Sequence, residues 1–361
     1  MTNSPSARYS SGVASGAWVD DPAQRAVLPE FDRIAQELQS GGQSWWRYLL
    51  QSANNRYVRG LYLWGGVGRG KTFLMDLFYN TVVTEKKLRL HFHRFMGRVH
   101  GELKNLSGRA DPITEVAATF ADSARLLCLD EFHVSDIGDA MILGRLLAAL
   151  MQNGVTLVTT SNTPPQQLYR DGLQRANFLP AIALIERNCQ VVQLIAQQDY
   201  RLRALTQSQL YHCPLGESAE PALQACFDRI APGDYRRERE IEINGRMIPL
   251  RHRAGSAIWF EFNALCDGPR AVADYIEVAQ SFHSVFISNV PQFDSRLEDQ
   301  ARRFIHLVDE FYDRNVSLIL SAAVPIIELY RGEKLQADFL RTTSRLIEMQ
   351  SAAYLSREHK S

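Results

Sequence analysis

Gly65-Gly66-Val67-Gly68-Arg69-Gly70-Lys71-Thr72 is the stretch on which the fold turns. It matches G-x-x-x-x-G-K-[ST] in full, the pattern of a phosphate-binding loop. The apolar run Gly60-Leu61-Tyr62-Leu63-Trp64 precedes it and reads as a buried strand. Phe73-Leu74-Met75-Asp76-Leu77-Phe78 follows it and reads as a helix. Strand, glycine loop and helix N-terminus together make an anion site. Consecutive backbone N–H groups point inward, and the positive end of the helix dipole faces the same space. Glycines permit the tight curl where a Cβ would meet phosphate oxygens. Gly65, Gly66, Val67, Gly68, Arg69, Gly70, Lys71 and Thr72 are therefore expected to bind ATP. Lys71 would reach the β- and γ-phosphates, and Thr72 would place its hydroxyl on Mg²⁺.

The strands that follow carry the hydrolytic candidates. Arg125-Leu126-Leu127-Cys128-Leu129-Asp130-Glu131 is an apolar strand that ends in two carboxylates. Asp130 is expected to share the Mg²⁺ shell with Thr72, usually through water. Glu131 is expected to orient the attacking water and take its proton, which requires a carboxylate. Val155-Thr156-Leu157-Val158-Thr159-Thr160 is a further strand, and Asn162 follows its tip before Thr163-Pro164-Pro165. An amide there can bond both water and a phosphate oxygen, so Asn162 is the candidate γ-phosphate sensor. A plain Asn turn is the competing reading. Arg175 is the candidate arginine finger, pointing into the next subunit's site. Arg170 is its alternative, and a surface ion pair is the blander possibility.

Around this centre the chain is read more coarsely. Met1 to Gly16 is Ser- and Gly-rich and without an apolar segment, so residues 1–19 are expected to be disordered. Arg8, with no acid before Asp20, also allows a transit-peptide reading. Asp21-Pro22 opens an amphipathic helix through Val27, Leu28, Phe31, Ile34, Ala35 and Leu38. Gln24 in its first turn is either an exposed side chain or a contact to adenine. Trp45-Trp46-Arg47-Tyr48-Leu49-Leu50 resumes a helix, and Lys87 to Phe92 is the second strand. His91, His93 and His100 lack an acid or cysteine at ligand spacing, so packed histidines are preferred to a metal site. Phe95-Met96-Gly97 resembles a polypeptide-gripping loop, although a core role at a helix start is favoured. Gln166 to Leu173 is expected as a short helix. Residues 20–200 are taken as the ATPase core, 201–255 as an α+β insertion with an Asn244-Gly245 hairpin, and 256–361 as a C-terminal α/β unit. In that last unit Ser288-Asn289 stands where Asp130-Glu131 stood. Arg302, Arg303, Arg341 and Arg345 are candidate lid arginines.

The whole composition limits the partners. The chain has 361 residues, 40 Lys+Arg against 40 Asp+Glu, and so no net charge, which withdraws the default case for nucleic acid or an anionic membrane. Its five scattered cysteines form no C-x-x-C pair and read as reduced cytosolic thiols. No apolar run is long enough to span a bilayer. A cytoplasmic protein is expected.

With these residues in view, the chain resembles the ZapE family of cell-division ATPases, which has mitochondrial relatives. The resemblance runs from Asp20 to about Tyr354. It is carried by Gly60 to Thr72, His91-Phe92-His93-Arg94-Phe95-Met96, Leu129-Asp130-Glu131-Phe132 and Ser344-Arg345-Leu346-Ile347-Glu348-Met349-Gln350. It implies an α/β fold of the P-loop AAA+ type, a parallel sheet with helices on both faces. It implies destabilisation of polymers of the tubulin-like protein FtsZ when ATP is present. A homo-oligomer with shared sites, a hexamer for instance, follows from a finger acting in trans. After residue 194 the sequence departs from the broader AAA+ pattern, which has a compact helical lid there. A DNA-linked helicase-loader type and a polypeptide unfoldase of protein quality control are the competing functional classes.

Overall fold

The fold is given by a computed structural model, which describes residues 4–40, 58–66, 68–195, 200–231 and 239–360. The expected helix at Trp45 to Leu50 and Val67 of the phosphate loop lie outside the described residues. The chain divides into two compact units, residues 1–197 and 198–361.

The first unit is built on five parallel strands: β1 (Gly60–Trp64), β2 (Lys87–His91), β3 (Leu126–Asp130), β4 (Thr156–Ser161) and β5 (Cys189–Gln193), in the order β2-β3-β4-β1-β5. Both faces of the sheet are covered, and the alternation along each strand records it. Leu61, Leu63, Leu126, Cys128 and Val158 pack on one side with Val27, Phe31, Leu74 and Phe78 from the helices Pro22–Ser40 and Lys71–Thr81. Tyr62, Leu127, Leu129 and Leu157 pack on the other with Phe95, Val116, Leu143 and Ile185. Those four come from the helices Phe92–Asn105, Pro112–Ser123, Ile137–Gln152 and Leu179–Asn188. A two-faced burial of this kind needs near-continuous apolar strands, and β3 and β4 are buried along their whole length. The architecture is the α/β P-loop type that the sequence predicts.

Two local expectations are corrected. Residues 1–19 were expected to lack order, yet Pro5–Ala14 is a helix. Ser4 caps it by accepting from the Ala7 N–H at 3.2 Å, and Pro5 occupies the first turn, where a missing N–H costs nothing. Asp32 Oδ1 accepts from Ser6 N at 3.0 Å, and Tyr9 is fully buried against the helix Pro22–Ser40 and Phe73. A small-residue composition gave no hint of this because the anchor is two aromatics, Tyr9 and Trp18, meeting Phe73. The short helix expected at Gln166 to Leu173 is only a 3₁₀ turn, Pro165–Gln167. Tyr169, with φ 51°, takes the chain out of helical space there.

The second unit carries another mainly parallel sheet. Its strands are β6 (Tyr211–His212), β7 (Glu240–Ile243), β8 (Arg246–Pro249), β9 (His252–Ala254), β10 (Ala257–Glu261), β11 (Ser284–Val290) and β12 (Ser317–Ala322). The order is β6-β12-β11-β10-β9, with β9 antiparallel, and β7 and β8 form a separate hairpin. Asn244 and Gly245 turn that hairpin with φ of 47° and 74°, as its Asn-Gly dipeptide requires. The parallel strands β10, β11, β12 and β6 stand in the same order as β2, β3, β4 and β1 of the first unit. Arg246 pairs with Asp274 at 2.8 Å, Arg251 pairs with Glu220 and Glu261, and Arg253 lies over Phe282. Arg341 and Arg345 both pair with Asp309, Arg303 donates to the Cys266 carbonyl at 3.1 Å, and Arg302 is exposed.

Candidate active site

The C-terminal ends of β1, β3 and β4 lie side by side in the first sheet, so the loop after β1, the carboxylates of β3 and the amide after β4 converge. Open parallel sheets bind their ligands at such strand ends. Gly65 N donates to the Ser161 carbonyl at 3.2 Å, which fixes the loop's entrance to the end of β4. Gly70 closes it in the left-handed region at φ 90° and leads into the helix Lys71–Thr81. Lys71 is buried, and its ammonium donates to the carbonyls of Gly65 at 2.7 Å and Gly66 at 2.8 Å and to Asn162 Oδ1 at 3.0 Å. Lysine and sensor candidate are thus in direct contact across the site. Thr72 is half-buried on the first helical turn, and Arg69 lies over Gly66. Gln24 is neither exposed nor remote from the loop. It is 5 % exposed, and its amide sits against Gly70.

Asp130 ends β3 beside His91, the last residue of β2. Asp130 Oδ2 accepts from Arg89 Nε at 2.7 Å, and Arg89 also pairs with Asp76 of the phosphate-loop helix. Burial works against the Arg89 charge, but the two carboxylates more than offset it and raise its pKa. Glu131 follows with φ 55°, an uncommon conformation for a residue with a side chain. Its N–H is held by Thr160 Oγ1 at 3.2 Å, and its Oε2 stands 4.0 Å from His91 Nδ1. The exits of β3 and β4 are stitched together by hydroxyls. Thr159 Oγ1 donates to the Leu129 carbonyl and Ser161 Oγ to that of Phe132, each at 2.8 Å. Tyr62 donates to the Thr163 carbonyl at 2.9 Å and so steadies the turn that presents Asn162.

The two residues expected to hold a metal, Thr72 and Asp130, offer oxygens only, a hydroxyl and a carboxylate. That set suits a hard divalent cation that keeps waters and takes phosphate oxygens, as Mg²⁺ does. Asp130, 4 % exposed and held at one oxygen by Arg89, has a fixed orientation for such a role.

The remaining candidates are not gathered here. Arg175 lies on the turn Arg175–Asn177 and donates to the Gln166 carbonyl at 2.6 Å. Arg170 is exposed. Phe95 and Met96 are core residues, 0 % and 2 % exposed, which removes them as a polypeptide-gripping loop. His100 pairs with Asp139 at 2.6 Å rather than with His91 and His93. Sequence reasoning missed Arg89, Asp76, Tyr62 and the hydroxyls of Thr159, Thr160 and Ser161. One signal was available for Arg89, a charge at the centre of the strand Lys87–His91, between Leu88 and Leu90.

The model of the AFG1-like ATPase family matches residues 3–358. The chain is 44% identical over 369 aligned positions to the Escherichia coli K12 cell division protein ZapE, covering 98% of each chain. It is 36% identical to the Danio rerio lactation elevated protein 1 homolog B, covering 84% of this chain and 70% of that one. Among solved structures, AMPPCP-bound DnaA from Aquifex aeolicus is similar over 53% of this chain and 52% of its own, at 17% identity and a TM-score of 0.37.

Proposed function

Since the chain belongs to the AFG1-like ATPase family and is an ATP hydrolase, we propose that it couples that hydrolysis to cell division by destabilising FtsZ polymers. The observation that carries the catalytic part is the Lys71 ammonium held between two loop carbonyls and Asn162. That contact gathers the phosphate loop and the sensor strand, next to the strand that ends in Asp130 and Glu131. The near end-to-end similarity to the E. coli cell division protein supports the cellular part.

Lys71 exchanges its carbonyl partners for β- and γ-phosphate oxygens when ATP enters. Asn162 then bonds the γ-phosphate and the attacking water. Glu131 takes the proton of that water as its oxygen bonds to the γ-phosphorus and the bond to the bridging oxygen of ADP breaks. The strained backbone at Glu131 aims the carboxylate, and Thr160 Oγ1, which accepts from the Glu131 N–H, holds that backbone in place. Thr72 and Asp130 would hold Mg²⁺, which would supply neutralisation of charge on the phosphate oxygens. Arg175 serves as a finger in the neighbouring copy of a homo-oligomer, with a hexamer as the expected ring. The cytoplasm is the proposed compartment; among the described residues no helix is long and apolar enough to cross a membrane.

The test measures phosphate release and polymer sedimentation with purified FtsZ. Polymer should stimulate phosphate release, and ATP should lower the pelleted fraction. Glu131→Gln should bind ATP while losing roughly 10²–10⁴-fold in turnover. Arg175→Ala should lose activity that mixing with a Lys71→Ala chain partly restores. Retained turnover in Glu131→Gln would sink the site assignment. Turnover indifferent to polymer but stimulated by DNA, with a steep salt dependence, would replace the division reading with a DNA-linked one.

A further inference from the structure

We propose that Arg89 is a positioning residue of the ATPase site, which forks between Asp76 and Asp130 and thereby fixes the two protein elements that hold the metal. The inference rests on the metal-shell role proposed above for Asp130. Arg89 lies on β2, opposite Cys128 in the register and two residues before the strand ends at His91. Its side chain is 6 % exposed, as is that of Asp130, while Asp76 is 30 % exposed. Nε donates to Asp130 Oδ2 at 2.7 Å, and Nη1 donates to Asp76 Oδ1. Asp76 follows Thr72 by four residues in the helix Lys71–Thr81, so the two share one helical face. One guanidinium therefore ties the helix that carries Thr72 to the strand that carries Asp130.

The chemistry explains why arginine stands there. Two carboxylates within reach of one buried point would repel and turn apart without a cation between them. A metal ion could neutralise them, but it would then be drawn away from the phosphates. Arginine's rigid fork bonds both acids at once, while Asp130 Oδ1 accepts from Thr160 Oγ1 at 3.5 Å, so each Asp130 oxygen has a set direction. Lysine, a flexible point charge, cannot set both directions together. Outer partners of metal ligands commonly change metal affinity by about 10–100-fold when removed.

The experiment uses the full chain in a Glu131→Gln background, so that bound nucleotide is not consumed. Binding of a fluorescent ATP analogue is titrated in EDTA and then against Mg²⁺. Arg89→Met should change affinity in EDTA by less than about threefold and raise the Mg²⁺ concentration at half effect about tenfold or more. Arg89→Lys should recover only a fraction of the shift. Asp76→Asn should shift the Mg²⁺ titration in the same direction by less. If Arg89→Met gives no cooperative thermal transition, Asp76→Asn decides, because its carboxylate is the more exposed partner. Titrations of Arg89→Met and Asp76→Asn that coincide with the parent, while Asp130→Asn shifts it, would overturn the inference alone. An unshifted Asp130→Asn would instead remove the metal-shell role on which it rests.

Discussion

Gly70 joins the phosphate loop to its helix at φ 90°, and a Cβ built there would come within 2.4 Å of Gln24 Nε2. Two separate penalties therefore fall on Gly70→Ala. The left-handed backbone costs an L-residue about 1–2 kcal/mol, and Gln24 must also give way. Since about 1.4 kcal/mol is a factor of ten in binding, ATP affinity should fall about tenfold or more. Adding Gln24→Ala should restore the steric part and leave the backbone part, as calorimetric titration of the two single variants and the double variant would reveal. Full restoration would mean that backbone strain is not limiting. The glycine, the lysine and the carboxylates of this site are legible in the sequence because their spacing is the chemistry. The hydroxyls of Thr159, Thr160 and Ser161 are not, since threonine and serine in a strand look the same whether or not they hold a neighbouring turn. Arg89 sits between the cases: a buried charge signals a partner but does not name it.

At the scale of elements, the helix Pro5–Ala14 is the main departure from expectation. It is joined to the helix Lys71–Thr81 by aromatic contacts, with Trp18 and Phe73 at 5.0 Å between ring centroids and Tyr9 at 6.1 Å from Trp18 and 6.3 Å from Phe73. Phe73 is the residue after Thr72, so the N-terminal helix braces the first turn of the phosphate-loop helix. Tyr9 OH also accepts from Asp21 N at 3.0 Å, at the start of the next helix. Removing a buried aromatic costs about 3–5 kcal/mol. Tyr9→Ala should therefore lower the thermal midpoint of the first unit and weaken ATP binding together. Thermal denaturation with and without ATP checks this; a fall in stability with unchanged nucleotide affinity would mean that the brace does not reach the loop. Strands and long helices of the first unit were readable because apolar runs and 3.6-residue periodicity act locally. This helix was not, because its order comes from two aromatics meeting a third some sixty residues on.

For the whole molecule, the second unit repeats the first in more than strand order. Asn289, within β11 where its register shifts, has φ 63°, and Glu131, just after β3, has φ 55°. Its N–H is held by Ser321 Oγ at 3.0 Å, as that of Glu131 is held by Thr160 Oγ1. Trp259 Nε1 donates to Ser288 Oγ at 2.7 Å, the counterpart of Arg89 to Asp130. The loop after β6 reads Cys213-Pro214-Leu215-Gly216-Glu217-Ser218 and has no lysine. The positions that correspond to Lys71, Asp130 and Glu131 therefore carry neither a lysine nor carboxylates. One nucleotide per chain is the expected stoichiometry in a calorimetric titration, and Lys71→Ala should abolish it; a second equivalent bound by Lys71→Ala would show that the repeat retains a site. The sequence by itself determined the P-loop class, the candidate ATP site at Gly65 to Thr72 and the two carboxylates at the end of β3. Each is encoded in a contiguous run whose backbone geometry and chemistry are local. Only the tertiary structure decided that Arg89 joins Asp76 to Asp130, that Asn162 meets Lys71, and that the second sheet has the strand order of the first. Those facts depend on which strands lie side by side, and neighbours in a parallel sheet are set by crossovers far apart in the chain.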